Sequence, residues 1–384
     1  MSAPRVLIVG GGTGGHVIPA LAIADELRQS YGAHVRFLGT ERGFETRLVP
    51  AAGYRLELIQ VGQLKGVSLK TRLRTLLDLP LGIQRCLSIL KTFRPDVVVG
   101  VGGYASGPGM AGALLKGIPT LAFEPNAAPG LANRIVGRLV SSAAVSFAPA
   151  CAYFRNARVT GIPVRKEFFT IKPRIGPPEE TLPDSQATST SDSVHLSKQN
   201  LLVFGGSQGA QIFNQLMPRI APQLLRLVPD LFILHQSGAK QEETTRAAYV
   251  ASGAEPNRWE VRAFLDNMPE RFAWADLILA RSGASTVAEL CAAGRPALLV
   301  PFPLAADDHQ RKNAEVMVSA HAAEMRLQTE VGTGELLLDA LSRLLLAPAK
   351  LIEMGNRART LARPNAAADI AAMVAALVRS PSHL

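Results

Sequence analysis

Aromatic residues make up only 5% of this 384-residue chain and charged residues only 19%. There are three cysteines, Cys86, Cys151 and Cys291. They are odd in number and far apart, which excludes a disulfide framework and favours a reducing cytoplasm. No uninterrupted apolar stretch reaches the roughly 18 residues a membrane span needs, so any bilayer contact is expected to be peripheral. A signal peptide's charged start, apolar middle and cleavage site are missing from the N-terminus. Zinc-finger spacing, an RNA-binding aromatic motif and a long Lys/Arg run are missing too. The net charge of +10 is therefore read as suiting an anionic membrane or substrate, and no nucleic acid is expected. No Asp-x-Asp occurs, so a divalent cation clamped on a diphosphate is not supported. Asp307-Asp308-His309 is a poor metal site, because adjacent residues rarely ligate one ion well. No metal and no cofactor are expected.

Two glycine-rich loops are present, each behind a short apolar strand. One reads Arg-Val-Leu-Ile-Val-Gly-Gly-Gly-Thr-Gly-Gly-His over 5–16, the other Leu-Leu-Val-Phe-Gly-Gly-Ser-Gln-Gly-Ala over 201–210. A continuous apolar run marks a strand buried in a parallel sheet, and glycine lets the backbone turn sharply beside a ligand. A helix starting after such a turn aims its free N–H groups at an anion. Two such units of similar size predict an α/β protein of twin Rossmann-like domains with parallel sheets and a cleft between them.

The rest of the chain keeps this rhythm. Strands are predicted at 6–9, 35–38, 56–61, 96–100 and 119–123, then at 201–204, 231–235, 259–263, 277–280 and 297–300. Helices are predicted at 18–28, 69–93, 335–346, 350–363 and 365–379. The expected division is an N-terminal domain over 1–165, a polar linker over 166–200, a C-terminal domain over 201–363 and a last helix over 364–384. The stretch 172–200, rich in Pro, Ser, Thr and Asp, reads as a flexible tether. The alanine-rich last helix could pack back against the first domain.

Chemistry-bearing residues cluster where the strands end. The pattern G-x-G-x-x-G is met loosely by Gly10, Gly12 and Gly15. The acidic residue that a nicotinamide site wants after the second strand is poorly matched by Glu41, which counts against an oxidoreductase. His16 stands at the mouth of the helix, where it can act as base or donor or simply pack against a loop. Gly-Val-Gly-Gly-Tyr-Ala-Ser-Gly-Pro at 100–108 favours a phosphate or pyrophosphate site over an ordinary tight crossover. Glu124 in Phe-Glu-Pro-Asn is a second general-base candidate or a cap for the next turn. Ser207 and Gln208 could bond a sugar or phosphate. Arg-Ser-Gly-Ala-Ser-Thr-Val-Ala-Glu at 281–289 offers a helix N-terminus for a diphosphate, with Glu289 one turn in for a ribose or as a capping-box partner.

Taken together, these loops resemble glycosyltransferase family 28, the enzymes that complete the lipid-linked peptidoglycan precursor. The residues that carry the likeness are Gly-Gly-Thr-Gly-Gly-His at 11–16, Gly-Gly-Tyr-Ala-Ser-Gly-Pro at 102–108, Glu-Pro-Asn at 124–126, Gly-Gly-Ser-Gln-Gly at 205–209, Ser-Gly-Ala-Ser-Thr-Val-Ala-Glu at 282–289 and Asp-His-Gln at 308–310. The resemblance implies a GT-B fold and inverting transfer of N-acetylglucosamine from UDP-N-acetylglucosamine to lipid I at the cytoplasmic side of the cell membrane. His16 would be the first choice of base and Glu124 the second. Thr13, Gly14, Gly15, Asn126, Arg165, Ser207, Leu265, Ala284, Ser285, Thr286, Val287, Ala288, Glu289 and Gln310 would bind the donor. Gly12, Gly102, Gly103, Tyr104 and Ser106 would meet the acceptor diphosphate. The family more often has Asn where Ile162 stands, two residues after Thr160, and has a shorter linker. The lipid acceptor also gives a use to 64–90, where leucines alternate with Lys65, Lys70, Arg72, Arg74 and Arg85, a pattern suited to an anionic bilayer surface or to a basic-rimmed core helix. A sugar-nucleotide 2-epimerase, another lipid-directed transferase and a non-catalytic nucleotide-binding module are the rival readings.

Overall fold

The computed structural model describes residues 3–41, 43–60, 82–103, 105–173, 199–206 and 208–379. Two compact units form: Met1–Val164 with Ala306–Asn313 and Arg363–Leu384, and Arg165–Ala305 with Ala314–Ala362.

The first unit is built on β1 (Arg5–Val9), β2 (His34–Thr40), β3 (Arg55–Ile59), β4 (Val97–Gly100), β5 (Thr120–Glu124), β6 (Ser142–Val145) and β7 (Ala157–Val159). They pair in parallel in the order β3-β2-β1-β4-β5-β6-β7. Chain order therefore reverses between β1 and β4, and in an open parallel sheet ligands bind outside the carboxyl ends of the strands at such a reversal. Register aligns Val9 with Gly100, so the loops after these two strands leave the sheet at the same level. Val6, Leu7, Ile8 and Val9 are all fully buried, as a strand covered on both faces requires. Each contributes roughly 1.5–3 kcal/mol by leaving water.

The last helix, Ala366–Arg379, packs on the helix Gly14–Tyr31 and on β4, β5 and β6. It buries Ala366, Ile370, Ala371 and Val374, a helical face whose alanines permit close approach. Residues 306–313 group with this first unit, although the sequence division leaves them within 201–363.

The second unit repeats the plan with β8 (Gln199–Phe204), β9 (Leu231–Gln236), β10 (Trp259–Arg262), β11 (Leu277–Ala280), β12 (Ala297–Leu299) and β13 (Ala323–Met325). The order β10-β9-β8-β11-β12-β13 puts the reversal between β8 and β11, with Phe204 aligned to Ala280. The helix Gln211–Leu227 covers one face and buries Phe213, Leu216, Met217, Ile220 and Leu224, the stripe expected of an amphipathic helix.

Strands β6, β7 and β13 are absent from the sequence reading. They span four, three and three residues and contain small or charged side chains, so their apolar signal is weak. The predicted helix at 69–93 is described only from 82 to 93. Most of the amphipathic stretch 64–90, most of the linker 172–200, Tyr104 and Ser207 lie outside the described residues.

Candidate active site

In the first unit the glycine loop is fastened by three successive N–H groups. Gly10 donates to the Leu38 carbonyl at 3.0 Å and Gly11 to the Gly102 carbonyl at 3.1 Å. Gly12 donates to Glu45 Oε2 at 2.7 Å. The loops after β1 and β4 thus touch directly, and a Cβ on Gly103 (φ +83°) would lie 2.1 Å from the Gly11 oxygen. Only glycine allows that approach. Because its N–H is taken by a carboxylate, Gly12 does not offer a diphosphate the donor that the sequence assigned to it.

The helix Gly14–Tyr31 starts from an extended Thr13 with no side-chain cap and no acidic residue in its first turn. The N–H groups of Gly14 and Gly15 lie in that turn, where the helix supplies no internal acceptor and favours an anion. His16 follows, half-buried, with its ring against Gly102, where a Cβ would come within 2.9 Å of Cε1. Its Nδ1 is buried without a hydrogen-bond partner. Burial lowers the proton affinity of the imidazole below its ordinary value. A hydrogen bond with the Val101 backbone opposes this, His309 adds to it, and Glu45 opposes it. Burial thus favours the neutral imidazole, the form a general base needs.

Glu124 is placed differently. It is 2% exposed at the end of β5. Its Oε1 accepts from the Asn126 N–H at 2.9 Å and from Asn126 Nδ2 at 3.2 Å. Oε2 accepts from Asn133 Nδ2 at 2.9 Å and from the Gly130 N–H at 3.3 Å. Burial raises its proton affinity and these bonds lower it. Both oxygens are engaged in shaping the turn over 126–133, as the capping alternative expects. Asn126 is held from its other end as well, because Asn313 Nδ2 donates to Asn126 Oδ1 at 3.2 Å while Asn313 Oδ1 accepts from the Ala127 N–H at 2.8 Å. Gln310 sits half-buried on the same helix, His309–Ser319. Ser106 Oγ is buried and unpartnered, at 3.0 Å from where a Gly100 Cβ would be. Its hydroxyl is thus turned in towards β4 at Gly100.

In the second unit Gln236, at the end of β9, ties two loops together. Its Nε2 donates to the Gly206 carbonyl at 2.8 Å and its Oε1 accepts from the Leu265 N–H at 3.0 Å. A backbone contact from Leu265 to a base would therefore use its carbonyl. After β11, Arg281 donates to the Val300 and Pro301 carbonyls at 2.9 and 2.8 Å and to Gln328 at 2.6 Å, so its guanidinium braces the strand ends. The helix Ala284–Ala293 opens at Gly283 with no side-chain cap and no acid in its first turn. The Val287 N–H finds the Gly283 carbonyl at 3.0 Å, and the preceding N–H groups of Ala284, Ser285 and Thr286 occupy the first turn, open to an anion. The Val287 side chain is fully buried in the core, and Ala288 is half-buried behind the first turn. Burial pushes the Glu289 carboxyl up to about 7, with Arg165 pulling the other way. Glu289 and Arg165 thus share one electrostatic neighbourhood.

Glu45, Gln236 and Asn313 escape the sequence reading. Gly39 and Gly43, shortly before it in sequence, were the available signal for Glu45. Gln236 was visible as a polar end to an apolar strand. Nothing local marks Asn313.

Comparison with known proteins fits this geometry. The glycosyltransferase family 28 N-terminal domain matches residues 6–145 and the glycosyltransferase family 28 C-terminal domain residues 200–371. A protein of Anaeromyxobacter sp. (strain Fw109-5), named UDP-N-acetylglucosamine--N-acetylmuramyl-(pentapeptide) pyrophosphoryl-undecaprenol N-acetylglucosamine transferase, is 42% identical over 98% of this chain and 94% of its own length. The Magnetococcus marinus protein of the same name is 41% identical over 98% of both. The crystal structure of Acinetobacter baumannii MurG superposes with a TM-score of 0.75 at 30% identity, covering 97% of this chain and 99% of that one. The S. aureus MnaA–UDP structure shares the fold alone, at 14% identity and a TM-score of 0.63 over 96% of this chain and 94% of that one. Two Rossmann-like units with parallel sheets make this a GT-B protein, and the chain belongs to glycosyltransferase family 28, among its N-acetylglucosamine transferases.

Proposed function

We propose that this chain transfers N-acetylglucosamine from UDP-N-acetylglucosamine to the C4 hydroxyl of lipid I, giving lipid II and UDP for peptidoglycan synthesis. The observation that carries this reading is His16, whose burial favours the neutral imidazole, set in the acid-free first turn of its helix beside Gly102. His16 takes the proton of the C4 hydroxyl as its oxygen attacks the anomeric carbon. The bond from that carbon to the UDP oxygen breaks on the opposite face, so the centre inverts and a β linkage forms. Charge growing on the leaving diphosphate is met by the N–H groups of Ala284, Ser285 and Thr286. Glu289 accepts from the ribose hydroxyls and Leu265 meets uracil. Thr13, Gly14, Gly15, Asn126, Arg165, Ser207 and Gln310 complete the donor contacts. Gly102, Gly103 and Tyr104 belong to the acceptor side. Glu124 serves by holding Asn126 rather than by moving the proton.

Work on a lipid acceptor needs a peripheral membrane face. Helices Ser106–Leu115 and Leu131–Val136 pack together and leave Leu115 and Ile135 72% and 66% exposed. Leu139 is similarly exposed, and Lys116 and Arg138 adjoin these leucines in sequence. Apolar side chains among cations favour the anionic cytoplasmic leaflet. No described helix is long and apolar enough to cross a membrane.

The test is transfer of label from UDP-[14C]N-acetylglucosamine to a short-chain lipid I analogue in EDTA. Wild type transfers label. Folded His16→Ala loses turnover, and Glu289→Ala loses mainly donor affinity. No transfer by folded wild type would overturn the acceptor assignment.

A further inference from the structure

Glu45 is buried to 1% exposure at the start of the helix Glu45–Ala51, and its surroundings are built around its carboxylate. A Cβ on Gly11 would lie 2.4 Å from its Cδ, one on Gly39 2.6 Å from its Cγ, and one on Gly43 1.9 Å from its Oε2. Three glycines thus leave the space that the carboxylate fills. Its oxygens work on both sides of that space. Oε2 accepts from the Gly12 N–H at 2.7 Å. Oε1 accepts from the Thr40 N–H at 2.9 Å and from Thr40 Oγ1 at 3.0 Å. All three partners donate, so the site calls for a group that only accepts. A carboxylate does so at both oxygens. An amide would turn its NH2 towards either Gly12 or Thr40 and set donor against donor.

We propose that Glu45 is a positioning residue for sugar transfer: its buried carboxylate fixes the loop that leads to His16 and places a negative charge behind that base. The loop from Gly12 enters the helix on which His16 stands, so the Gly12–Glu45 bond sets where the imidazole is held. The same charge repels an anion from Gly12 and leaves phosphate binding to the N–H groups of Gly14 and Gly15. The charged groups acting on His16 are Glu45, which favours its protonated form, and His309, which opposes it. This inference rests on His16 being the base.

The experiment compares kcat/KM against pH, and an NMR titration of the His16 ring, in wild type, Glu45→Gln, Glu45→Asp, His309→Asn and His16→Ala. The proposal expects Glu45→Gln to move the acid limb and the His16 midpoint down by about half a pH unit or more. It expects the plateau rate to fall about tenfold, as a weaker and displaced base would cause. His309→Asn should move the midpoint up. Glu45→Asp, which keeps the charge but shortens the reach, should hold the midpoint close to wild type while losing rate, and it serves if Glu45→Gln does not fold. An unmoved midpoint and unchanged rate in folded Glu45→Gln would overturn the proposal while His16→Ala is inactive. An active His16→Ala would instead overturn the reading of His16 itself.

Discussion

The two halves of this protein solve one problem with opposite chemistry. Each places a glycine loop at the reversal point of a parallel sheet, and each fastens that loop with a side chain from the neighbouring strand or the turn beyond it. In the first unit the fastener is the carboxylate of Glu45, which takes an N–H from Gly12. In the second it is the amide of Gln236, which gives an N–H to the Gly206 carbonyl. An acid beside a backbone donor uses up an anion site. A neutral amide on a carbonyl takes none of that glycine loop's N–H groups from a ligand, though its oxygen takes the Leu265 N–H. The first unit therefore suits a base and the second an anionic leaving group, although the topology is the same.

Replacing His16 by alanine should break the comparison most sharply. Turnover is expected to fall by about 10² to 10⁴, with the melting temperature unchanged, while no single polar replacement in the second unit matches that loss. Label transfer and a thermal melt together check it.

Glu289 is next. Glu289→Ala should raise the donor KM about 10- to 100-fold with a smaller change in kcat, as expected for a charged hydrogen-bonding group. With its carboxyl pushed up to about 7, donor affinity in wild type should weaken as pH falls through 7 and stay flat in Glu289→Gln. The stability effect has the opposite sense. The folded state holds a proton that the unfolded chain releases between its ordinary value of 4.5 and about 7, so this stabilisation is full below that window and is lost as pH rises through it. Glu289→Gln should therefore gain more over wild type at pH 8 than at pH 5 in a denaturant titration.

Two glycines sharpen the contrast in backbone terms. Gly103 and Gly206 both have positive φ, +83° and +90°, but a Cβ meets the Gly11 oxygen at 2.1 Å in the first case and open space in the second. Gly206→Ala should cost about 1–2 kcal/mol from the left-handed backbone alone. Gly103→Ala should cost about 3 kcal/mol or more, because the two loops must part. Urea midpoints for the two variants measure the difference.

The smallest effect is expected at Gln236. Gln236→Ala removes bonds worth about 1 kcal/mol each and should raise the donor KM a few-fold with turnover nearly kept. Steady-state kinetics with varied donor would show whether Gln236 only holds the loops or is needed for more.

Reading the sequence recovers much of this. Both glycine loops, the alternation of strand and helix, and the central strands of each sheet are visible because buried parallel strands are continuous apolar runs. The short strands β6, β7 and β13 at or next to the sheet edges are not, since three or four small or charged residues carry little hydrophobic signal. His16 and the helix start at Ala284 could be singled out because glycine and the first helical turn are local features. The engagement of Glu124 with Asn126 and Asn133, and of Gly12 with Glu45, could not, because hydrogen-bond partners 33 residues apart in the case of Gly12 and Glu45 leave no periodic trace.

What the sequence alone determined is the class of protein and the positions where chemistry must occur: twin α/β units whose glycine-rich turns follow buried strands. Those are consequences of hydrophobic patterning and of glycine's backbone freedom, which act over a few residues. The tertiary structure decided which polar groups are available. It took the Gly12 N–H with Glu45, both Glu124 oxygens with the 126–133 turn and the Leu265 N–H with Gln236, and it left His16 Nδ1 and the N-terminus of the Ala284–Ala293 helix without such partners. Whether a donor or acceptor is satisfied depends on what the fold brings beside it, and only packing in three dimensions determines that.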